Sequence, residues 1–345
     1  MKTITVNASK SYDVLIGNGL LSKLGEHMVS VLNKTCKVAI ISDSNVWPIY
    51  GENVEQTLRN AGFDLVNFVF PAGENSKNSD TYLKILNFLA ESHISRSDAI
   101  LALGGGVTGD MAGFTAATFL RGIRYIQVPT TLLAMVDSSV GGKTAIDLPA
   151  GKNLVGAFYQ PSLVVCDLDT LGTLPASVFS DGCAEVIKYG VLYDRALYEH
   201  LSEFGLQFDR ETVIARCVEL KRSVVAEDEF DTGARQKLNL GHTIGHSIEA
   251  LSNFSITHGQ AVAIGMAIVC KAGCKMIYSD LCTVLRRFNL PTTTLFSAGE
   301  LSAIALSDKK RTGGTVNMII PREIGYCEIV PTPVSQLESF IKEGL

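Results

Sequence analysis

The sequence predicts an α/β protein with two domains: a parallel sheet covered by helices, followed by a mostly helical half. Two observations lead to this prediction. In the first half, short apolar runs alternate with helical stretches, which is typical of parallel strands buried on both faces. Beyond Leu174, apolar residues recur at helical spacing instead. We therefore expect domains at 1–172 and 173–345.

The elements of the first half follow from apolar periodicity and from the turn residues between the periodic segments. In chain order they are strands at 3–6 and 14–16, a helix at 20–32, a strand at 38–41, a helix at 54–60, a strand at 65–70, a helix at 82–90, and strands at 99–103, 125–128 and 163–165. The segment 137–153 is polar and rich in glycine, and it predicts a mobile polar loop.

In the second half, apolar residues at helical spacing predict four helices, and the C-terminal region adds two minor strands and a last amphipathic helix. The helices lie at 178–189, 212–226, 234–251 and 258–276, the strands at 316–320 and near Cys327, and the last helix at 333–343. No repeat or low-complexity segment interrupts either half.

Composition and charge restrict the classes of function. With 345 residues, 46% of them hydrophobic, the chain is long enough to bury a core in each domain. A formal net charge of -5 disfavours a protein that coats nucleic acid or an anionic membrane. The eight cysteines lack disulfide-framework spacing, and no segment predicts a signal peptide or a membrane span. We expect a cytoplasmic protein that acts on a small molecule.

The segment 104–109 matches the pattern G-x-G-x-x-G, follows a predicted strand and opens a predicted helix. Glycines there let a pyrophosphate approach backbone N–H groups at a helix N-terminus. The first domain is therefore predicted to be a Rossmann-like nucleotide-binding domain. The acid that usually binds the ribose about 20 residues later is absent, which leaves Asp43 as the candidate. The alternative is a tight turn that binds no ligand.

His242, His246 and His258 form the densest group of histidines in the chain. His242 and His246 are four residues apart, the spacing that two-histidine metal sites use on one face of a helix. A catalytic zinc takes a third protein ligand, and Glu185 is the candidate because its helical segment is otherwise apolar. The alternatives are ordinary hydrogen-bonding histidines and a plain ion pair of Glu185 with Lys188.

Six basic residues lie in glycine-rich loops or near these candidate ligands, within a net acidic chain. Each alone is typical of a solvated surface charge. Together they suit an anionic substrate that carries phosphate or carboxylate. They are Lys143, Lys152, Lys188, Lys221, Arg235 and Lys310.

Taken in order, these motifs resemble those of the 3-dehydroquinate synthase family, the sugar-phosphate cyclases of the shikimate pathway to chorismate and the aromatic amino acids. The resemblance covers almost the whole chain. It rests on segments 71–77, 104–110, 121–123, 129–134, 137–144, 151–153, 184–190, 238–246, 258–259 and 308–310. Departures are few: Asp231 and Gln260 stand where relatives often have glutamate, and Phe119-Leu120 where Tyr-Met is usual.

The resemblance implies a carbon-oxygen lyase that converts 3-deoxy-D-arabino-heptulosonate 7-phosphate into 3-dehydroquinate and phosphate. NAD would oxidise the substrate transiently, phosphate would leave, the hydride would return, and an aldol addition would close the ring. NAD is expected between the domains, together with one divalent metal, zinc or alternatively cobalt. Family members are commonly homodimers.

The resemblance also implies roles for individual residues. The NAD-binding residues are Asp43, Glu74, Lys77, Gly105, Gly106, Asp110, Thr130, Thr131, Lys143 and Lys152. The metal ligands are Glu185, His242 and His258. The catalytic and substrate-binding residues are Asp137, Lys143, Lys152, Asn153, Lys188, Lys221, Arg235, Asn239, His246 and Lys310, with Arg121 lent across a dimer interface. This assignment separates the histidine pair, because His242 binds the metal while His246 faces the substrate.

Three alternatives stay open. Another sugar-phosphate cyclase, of the deoxy-inosose or valiolone synthase type, would share the fold, NAD and zinc. A metal-dependent alcohol dehydrogenase of related architecture would release NADH. A non-catalytic, zinc-stabilised binding protein would leave the glycine loop and the basic residues without a role.

Overall fold

The structure is a computed structural model that describes residues 1–309 and 314–345. The chain divides into two compact units, the first made of residues 1–174 and 221–230 and the second of residues 175–220 and 231–345. The expected domains at 1–172 and 173–345 remain a prediction. Among the described residues, no helix combines the length and the apolar composition needed to cross a membrane.

A seven-stranded sheet forms the centre of the first unit. The strands of this unit are β1 (Lys2–Val6), β2 (Tyr12–Gly17), β3 (Lys37–Asp43), β4 (Asp64–Phe70), β5 (Ala99–Gly104), β6 (Arg124–Pro129), β7 (Lys143–Leu148), β8 (Gly151–Phe158) and β9 (Leu163–Asp167). The sheet order is β1-β2-β9-β6-β5-β3-β4. The β1 and β2 pair is antiparallel, and the other neighbours are parallel. The predicted α/β class with a parallel sheet is confirmed.

Helices cover both faces of this sheet. They are α1 (Leu24–Leu32), α2 (Trp47–Asn60), α3 (Ser79–Glu91) and α4 (Gly106–Thr118). Side chains alternate along β3, so Val38 and Ile40 pack in one apolar core with α1 and α2. Ala39 and Ile41 pack in a second core with α3 and α4. Burial on both faces explains why the strands read as continuous apolar runs.

Strands β7 and β8 pair with each other as a separate antiparallel hairpin. The expectation of a mobile loop over 137–153 is therefore wrong for most of that segment. Thr144 and Ile146 are buried, and Ile146 joins the core that α3 and α4 form. The hairpin has one apolar face, which the polar and glycine-rich composition of the whole segment concealed.

The second unit is mostly helical, as predicted. Its helices are α5 (Ala176–Tyr193), α6 (Arg195–Phe204), α7 (Arg210–Glu227, whose last turns belong to the first unit), α8 (His242–Leu251), α9 (His258–Gly273), α10 (Lys275–Arg287), α11 (Ala298–Lys309) and α12 (Val334–Gly344), with the hairpin β10 (Thr315–Glu323) and β11 (Tyr326–Pro333). Helix α9 is buried along most of its length and contacts α5, α8, α10 and α12, so it forms the centre of this unit.

The helix predicted at 234–251 is wrong in its first part. Ala234–Asn239 forms a 3-10 turn, and α8 begins only at His242. Gly241 separates the two, with a φ of 78° that a residue with a side chain rarely adopts. A Cβ at this position would also lie 2.7 Å from the Val262 carbonyl oxygen of α9. The glycine is therefore needed for the close packing of α8 on α9.

Candidate active site

Three helices of the second unit bring a carboxylate and two imidazoles to one point. Glu185 lies in the middle of α5 and is fully buried. His242 and His258 are the first residues of α8 and α9. The ligand atoms of the three residues lie within 4.8 Å of one another. The structure therefore brings together the three metal ligands that the resemblance implied.

The spacing of these atoms suits one divalent ion. Glu185 Oε1 lies 3.4 Å from His242 Nε2 and 3.3 Å from His258 Nε2. Two ligand atoms that each lie about 2.1 Å from a tetrahedral zinc ion are about 3.4 Å apart. Two imidazole nitrogens and one carboxylate oxygen also form a common donor set for a catalytic zinc. The residues present fit a metal centre that leaves one coordination position open.

The other nitrogen of each imidazole is held by an oxygen of the protein. His242 Nδ1 lies 3.1 Å from the Leu240 carbonyl oxygen, and His258 Nδ1 lies 3.4 Å from Glu249 Oε2. If both Nδ1 atoms carry the proton and donate it, each Nε2 has its lone pair directed at the metal position. Glu249 is buried, and the sequence analysis did not single it out. Its spacing of seven residues from His242, two helical turns, was the only signal for it.

The two oxygens of Glu185 have different neighbours. Oε1 faces the two histidines, while Oε2 forms an ion pair with the buried ammonium group of Lys188. The sequence analysis weighed a metal ligand against an ion pair for Glu185. The geometry accommodates both, because each role uses one oxygen.

The pKa values of the two histidines are shifted in opposite directions. Burial and the nearby Lys188 charge lower the pKa of His242 to about 3, which keeps this imidazole neutral. Burial alone would lower the pKa of His258, but hydrogen bonds to Glu185 and Glu249 outweigh it and raise the pKa to about 10. The acids around His258 thus favour a positive charge at this point, which a metal ion would also supply.

The remaining predicted residues of the second unit lie on and before α8. Arg235 is almost fully buried and Asn239 is exposed, at opposite parts of the 3-10 turn that precedes this helix. His246 is exposed one turn after His242, and their ring centroids are 5.4 Å apart. The prediction that His246 faces the substrate remains a prediction. Lys310 lies outside the described residues.

In the first unit, five of the predicted NAD-binding residues lie at or just after the carboxyl ends of three neighbouring strands. Asp43 ends β3, Gly105 connects β5 to α4, and Gly106 is the first residue of α4. Thr130 follows β6, with its N–H 3.0 Å from the Gly104 carbonyl oxygen. A Cβ on Gly105 would lie 3.1 Å from Thr131 Cγ2, so the loops after β5 and β6 are in close contact. Ligands bind at this edge in open parallel sheets.

The carboxylate of Asp43 is hydrogen-bonded within the fold. One oxygen accepts the Thr108 hydroxyl proton at 3.1 Å, and the other accepts the N–H groups of Asn45 and Val46 at 2.9 and 3.1 Å. These bonds fix the orientation of the carboxylate at the end of β3. Its role as a ribose ligand remains a prediction.

An ionic network lies beside this edge. Lys77 Nζ is 2.6 Å from Asp110 Oδ2 and donates to Asn153 Oδ1 at 2.6 Å, while Lys152 Nζ is 3.2 Å from Glu74 Oε1. Burial alone would lower the pKa of Lys77, but Asp110 and Glu74 outweigh it and raise the pKa above its ordinary value. The structure therefore groups five predicted residues from three chain segments.

Asp147 belongs to the same network and was not predicted. Its side chain accepts the Asn153 N–H at 2.8 Å, and its own N–H donates to the Lys77 carbonyl oxygen at 2.8 Å. Burial raises the pKa of Asp147 above its ordinary value. The sequence predicted a mobile loop here instead of a hairpin, so it could not indicate that Asp147 lies beside Lys77 and Asn153.

Four further predicted residues lie elsewhere in the first unit. Lys221 Nζ is 2.6 Å from Asp137 Oδ1 and also donates to the Asp137 carbonyl oxygen, so a buried lysine is paired with a half-buried aspartate. Lys143 is exposed at the start of β7. Arg121 is exposed as well, with a φ of 68° in the turn that follows α4.

Comparison with known proteins gives full-length matches. Two family models match consecutive parts of the chain: 3-dehydroquinate synthase N-terminal at residues 67–181 and 3-dehydroquinate synthase C-terminal at residues 182–311. The 3-dehydroquinate synthase of Pelobacter propionicus is 46% identical over 98% of both chains.

Solved structures of two other cyclases have the same overall fold. A 2-deoxy-scyllo-inosose synthase, complexed with carbaglucose-6-phosphate, NAD+ and Co2+, matches all of both chains with a TM-score of 0.89 and 27% identity. A 2-epi-5-epi-valiolone synthase from Streptomyces hygroscopicus, with NAD+ and Zn2+ bound, covers 99% of this chain and 98% of its own with a TM-score of 0.88 and 25% identity.

Proposed function

The chain belongs to the 3-dehydroquinate synthase family, and from that premise we propose that it converts 3-deoxy-D-arabino-heptulosonate 7-phosphate into 3-dehydroquinate and phosphate. The reaction makes the protein a carbon-oxygen lyase. The observation that carries the proposal is the 46% identity to a 3-dehydroquinate synthase over 98% of both chains. The grouping of Glu185, His242 and His258 supports it independently.

We propose that the protein uses one divalent metal, zinc or cobalt, and NAD. Glu185 Oε1, His242 Nε2 and His258 Nε2 would hold the metal, and the edge after β3, β5 and β6 would hold NAD. When bound, NAD would accept and return a hydride, and the metal would polarise the substrate oxygen that changes between alcohol and carbonyl. The presence of NAD+ with Co2+ or Zn2+ in the two solved cyclases supports this assignment.

The basic residues would bind the anionic groups of the substrate, each from a fixed position. Arg235 is buried to 2% exposure, and its rigid guanidinium can bind phosphate or carboxylate through two hydrogen bonds. Lys188 is held against Glu185, which keeps a positive charge beside the metal ligands. Lys221 fixes Asp137 through both its carboxylate and its carbonyl oxygen, so this acid is oriented before substrate binds.

We also propose a homodimer in which Arg121 reaches the active site of the partner, and a cytoplasmic location. The exposure of Arg121 and its left-handed backbone support an assigned role for this side chain, because such a conformation costs energy in a residue other than glycine. A sedimentation experiment tests the dimer. A monomer at micromolar concentration would contradict it.

A second candidate is another sugar-phosphate cyclase. The structural similarity to 2-deoxy-scyllo-inosose synthase favours it, with a TM-score of 0.89. The identity to that enzyme is 27%, against 46% to a 3-dehydroquinate synthase, so we place it second.

One assay separates these candidates. The purified protein is incubated with the heptulosonate phosphate, a catalytic amount of NAD and zinc, while phosphate and NADH absorbance are followed together. Phosphate release without NADH accumulation supports the proposal, because the hydride returns within each turnover. Glucose 6-phosphate in a parallel reaction tests the second cyclase, and stoichiometric NADH would instead indicate an alcohol dehydrogenase. Absence of phosphate release from the heptulosonate would overturn the proposal.

A further inference from the structure

Asp181 anchors the N-terminus of α9, the helix that begins with His258. It lies on α5, four residues before Glu185 and hence on the same face of that helix. Its carboxylate accepts the Thr257 hydroxyl proton and, at 3.1 Å, the N–H of Gln260. Thr257 and Gln260 are the N-cap and the third residue of α9, where a negative charge is favourable.

Gly259 brings the first turn of α9 into direct contact with α5. A Cβ there would lie 2.0 Å from the Asp181 carbonyl oxygen, so only glycine permits this approach. Two successive turns of α5 therefore meet the start of α9: Asp181 binds the helix end, and Glu185 lies 3.3 Å from His258 Nε2. The hydrogen bonds to Asp181 therefore fix the backbone position of His258, the first residue of α9.

Glu249 holds the same imidazole from the opposite side. It lies on α8 with a side-chain exposure of 2%, and its Oε2 is 3.4 Å from His258 Nδ1. Together the two acids restrain both the backbone and the ring of His258. At His242, by contrast, Nδ1 lies 3.1 Å from a backbone acceptor, the Leu240 carbonyl oxygen.

The ligand atoms of His246, Glu249 and His258 also lie within 4.8 Å of one another, which would suit a second ion. A neutral imidazole offers one lone pair, and His258 Nε2 is the nitrogen that faces Glu185. Nδ1 then carries the proton and donates it to Glu249. The carboxylate is therefore better placed to orient His258 than to bind a second metal.

We propose that Asp181 and Glu249 are positioning residues of the metal centre, which set the place and the orientation of His258 without binding the metal themselves. This inference rests on the metal centre of the proposed function. Acids that orient a metal-binding histidine typically change metal affinity by about 10- to 100-fold when they are replaced.

The test measures zinc affinity of the full-length chain by competition with a chromophoric chelator, after the metal has been stripped. Asp181→Asn and Glu249→Gln should each weaken zinc binding by about 10- to 100-fold. Asp209→Asn is the matched control, because Asp209 accepts the Thr212 N–H at the start of α7 and should leave the affinity unchanged. Circular dichroism of the stripped proteins shows whether each variant is folded. If Asp181→Asn does not fold, Asp181→Glu replaces it.

At saturating zinc, both variants should recover kcat to within several-fold of the parent, since the three ligands remain. Unchanged zinc affinity in both variants would overturn the inference while the proposed function stands. A loss of one of two bound ions in Glu249→Gln would overturn it as well, because Glu249 would then be a ligand. A parent chain that binds no zinc would contradict the metal centre itself.

Discussion

The candidate metal centre of the second unit (Glu185, His242 and His258) and the ionic network of the first unit arrange their charged and polar groups in opposite ways. In the network, charges meet in pairs, with Lys77 on Asp110 at 2.6 Å and Lys152 on Glu74 at 3.2 Å. In the metal centre, the donor atoms of Glu185 and two histidines converge on one point. Pairing neutralises charge within the protein, whereas convergent lone pairs favour an added cation. The arrangement, rather than the residue types, distinguishes the two.

The largest expected effect is at the candidate metal centre. His258→Ala should abolish zinc binding and reduce turnover by on the order of 1,000-fold, because two ligands are left for the metal. Metal content after dialysis and the phosphate assay measure both effects. His200→Ala is the control, since this histidine packs against Phe204 on α6, at 4.6 Å between ring centroids. Full zinc occupancy in His258→Ala would show that the ligand assignment is wrong.

In the ionic network, removal of one charge should lower the free energy of unfolding, and removal of its partner as well should restore part of the loss. Lys77→Met should lower the free energy of unfolding by about 3 kcal/mol, because Asp110 loses its cation in a largely buried place. Lys77→Met with Asp110→Leu should lose less than Lys77→Met alone. Urea denaturation measures both, and zinc affinity should not change. A double variant that is less stable than Lys77→Met alone would contradict the pairing of these two charges.

Gly259→Ala tests whether the close packing of α9 on α5 is needed to hold the donor atoms of Glu185, His242 and His258 together. The added methyl group would overlap the Asp181 carbonyl oxygen, so the free energy of unfolding should fall by about 2 kcal/mol and zinc affinity should fall with it. Gly299→Ala is the matched control, because in the described part of the chain the nearest atom to its Cβ would be Glu338 Oε1, at 3.6 Å. If Gly259→Ala binds zinc as the parent does, the close approach is not required.

The smallest expected effect on stability is at Asp194, an acid that caps a helix and lies outside both sites. Burial alone would raise its pKa, but the Leu197 N–H and Arg216 outweigh it and lower the pKa below its ordinary value. Asp194→Ala should lower the free energy of unfolding by about 1 kcal/mol at neutral pH. Since the folded-state pKa is lowered, this contribution is present above about pH 4 and is lost as pH falls through the folded-state pKa.

Urea denaturation of the parent and of Asp194→Ala from pH 7 to pH 2.5 measures this difference. It should shrink toward acid, and Asp194→Asn should retain part of the cap at all pH values because its amide oxygen can still accept the Leu197 N–H. A difference that grows toward acid would contradict the assigned sign.

The strands of the sheet could be predicted because burial on both faces leaves a direct signal in the sequence. Val38 to Ile41 are apolar without interruption for that reason. The β7 and β8 hairpin could not be predicted in the same way, since its buried residues, Thr144 and Ile146, are few and are surrounded by polar positions. The early start assigned to the helix at 234 failed because Gly241 ends the preceding turn through its backbone conformation, which periodicity does not report.

The sequence by itself determined the fold class through its apolar periodicity and the family through its motifs. The resemblance to that family then implied the three candidate ligands, whereas spacing alone pointed to His242 together with His246. Only the tertiary structure decided how Glu185 divides its oxygens and which acids hold His258. Asp181 and Glu249 lie 77 and nine residues from His258 along the chain. The packing of α5 and α8 on α9 brings Glu249 to the His258 ring and Asp181 to the first turn of its helix. Contacts of this kind depend on helix positions in space, which neither spacing nor composition specifies.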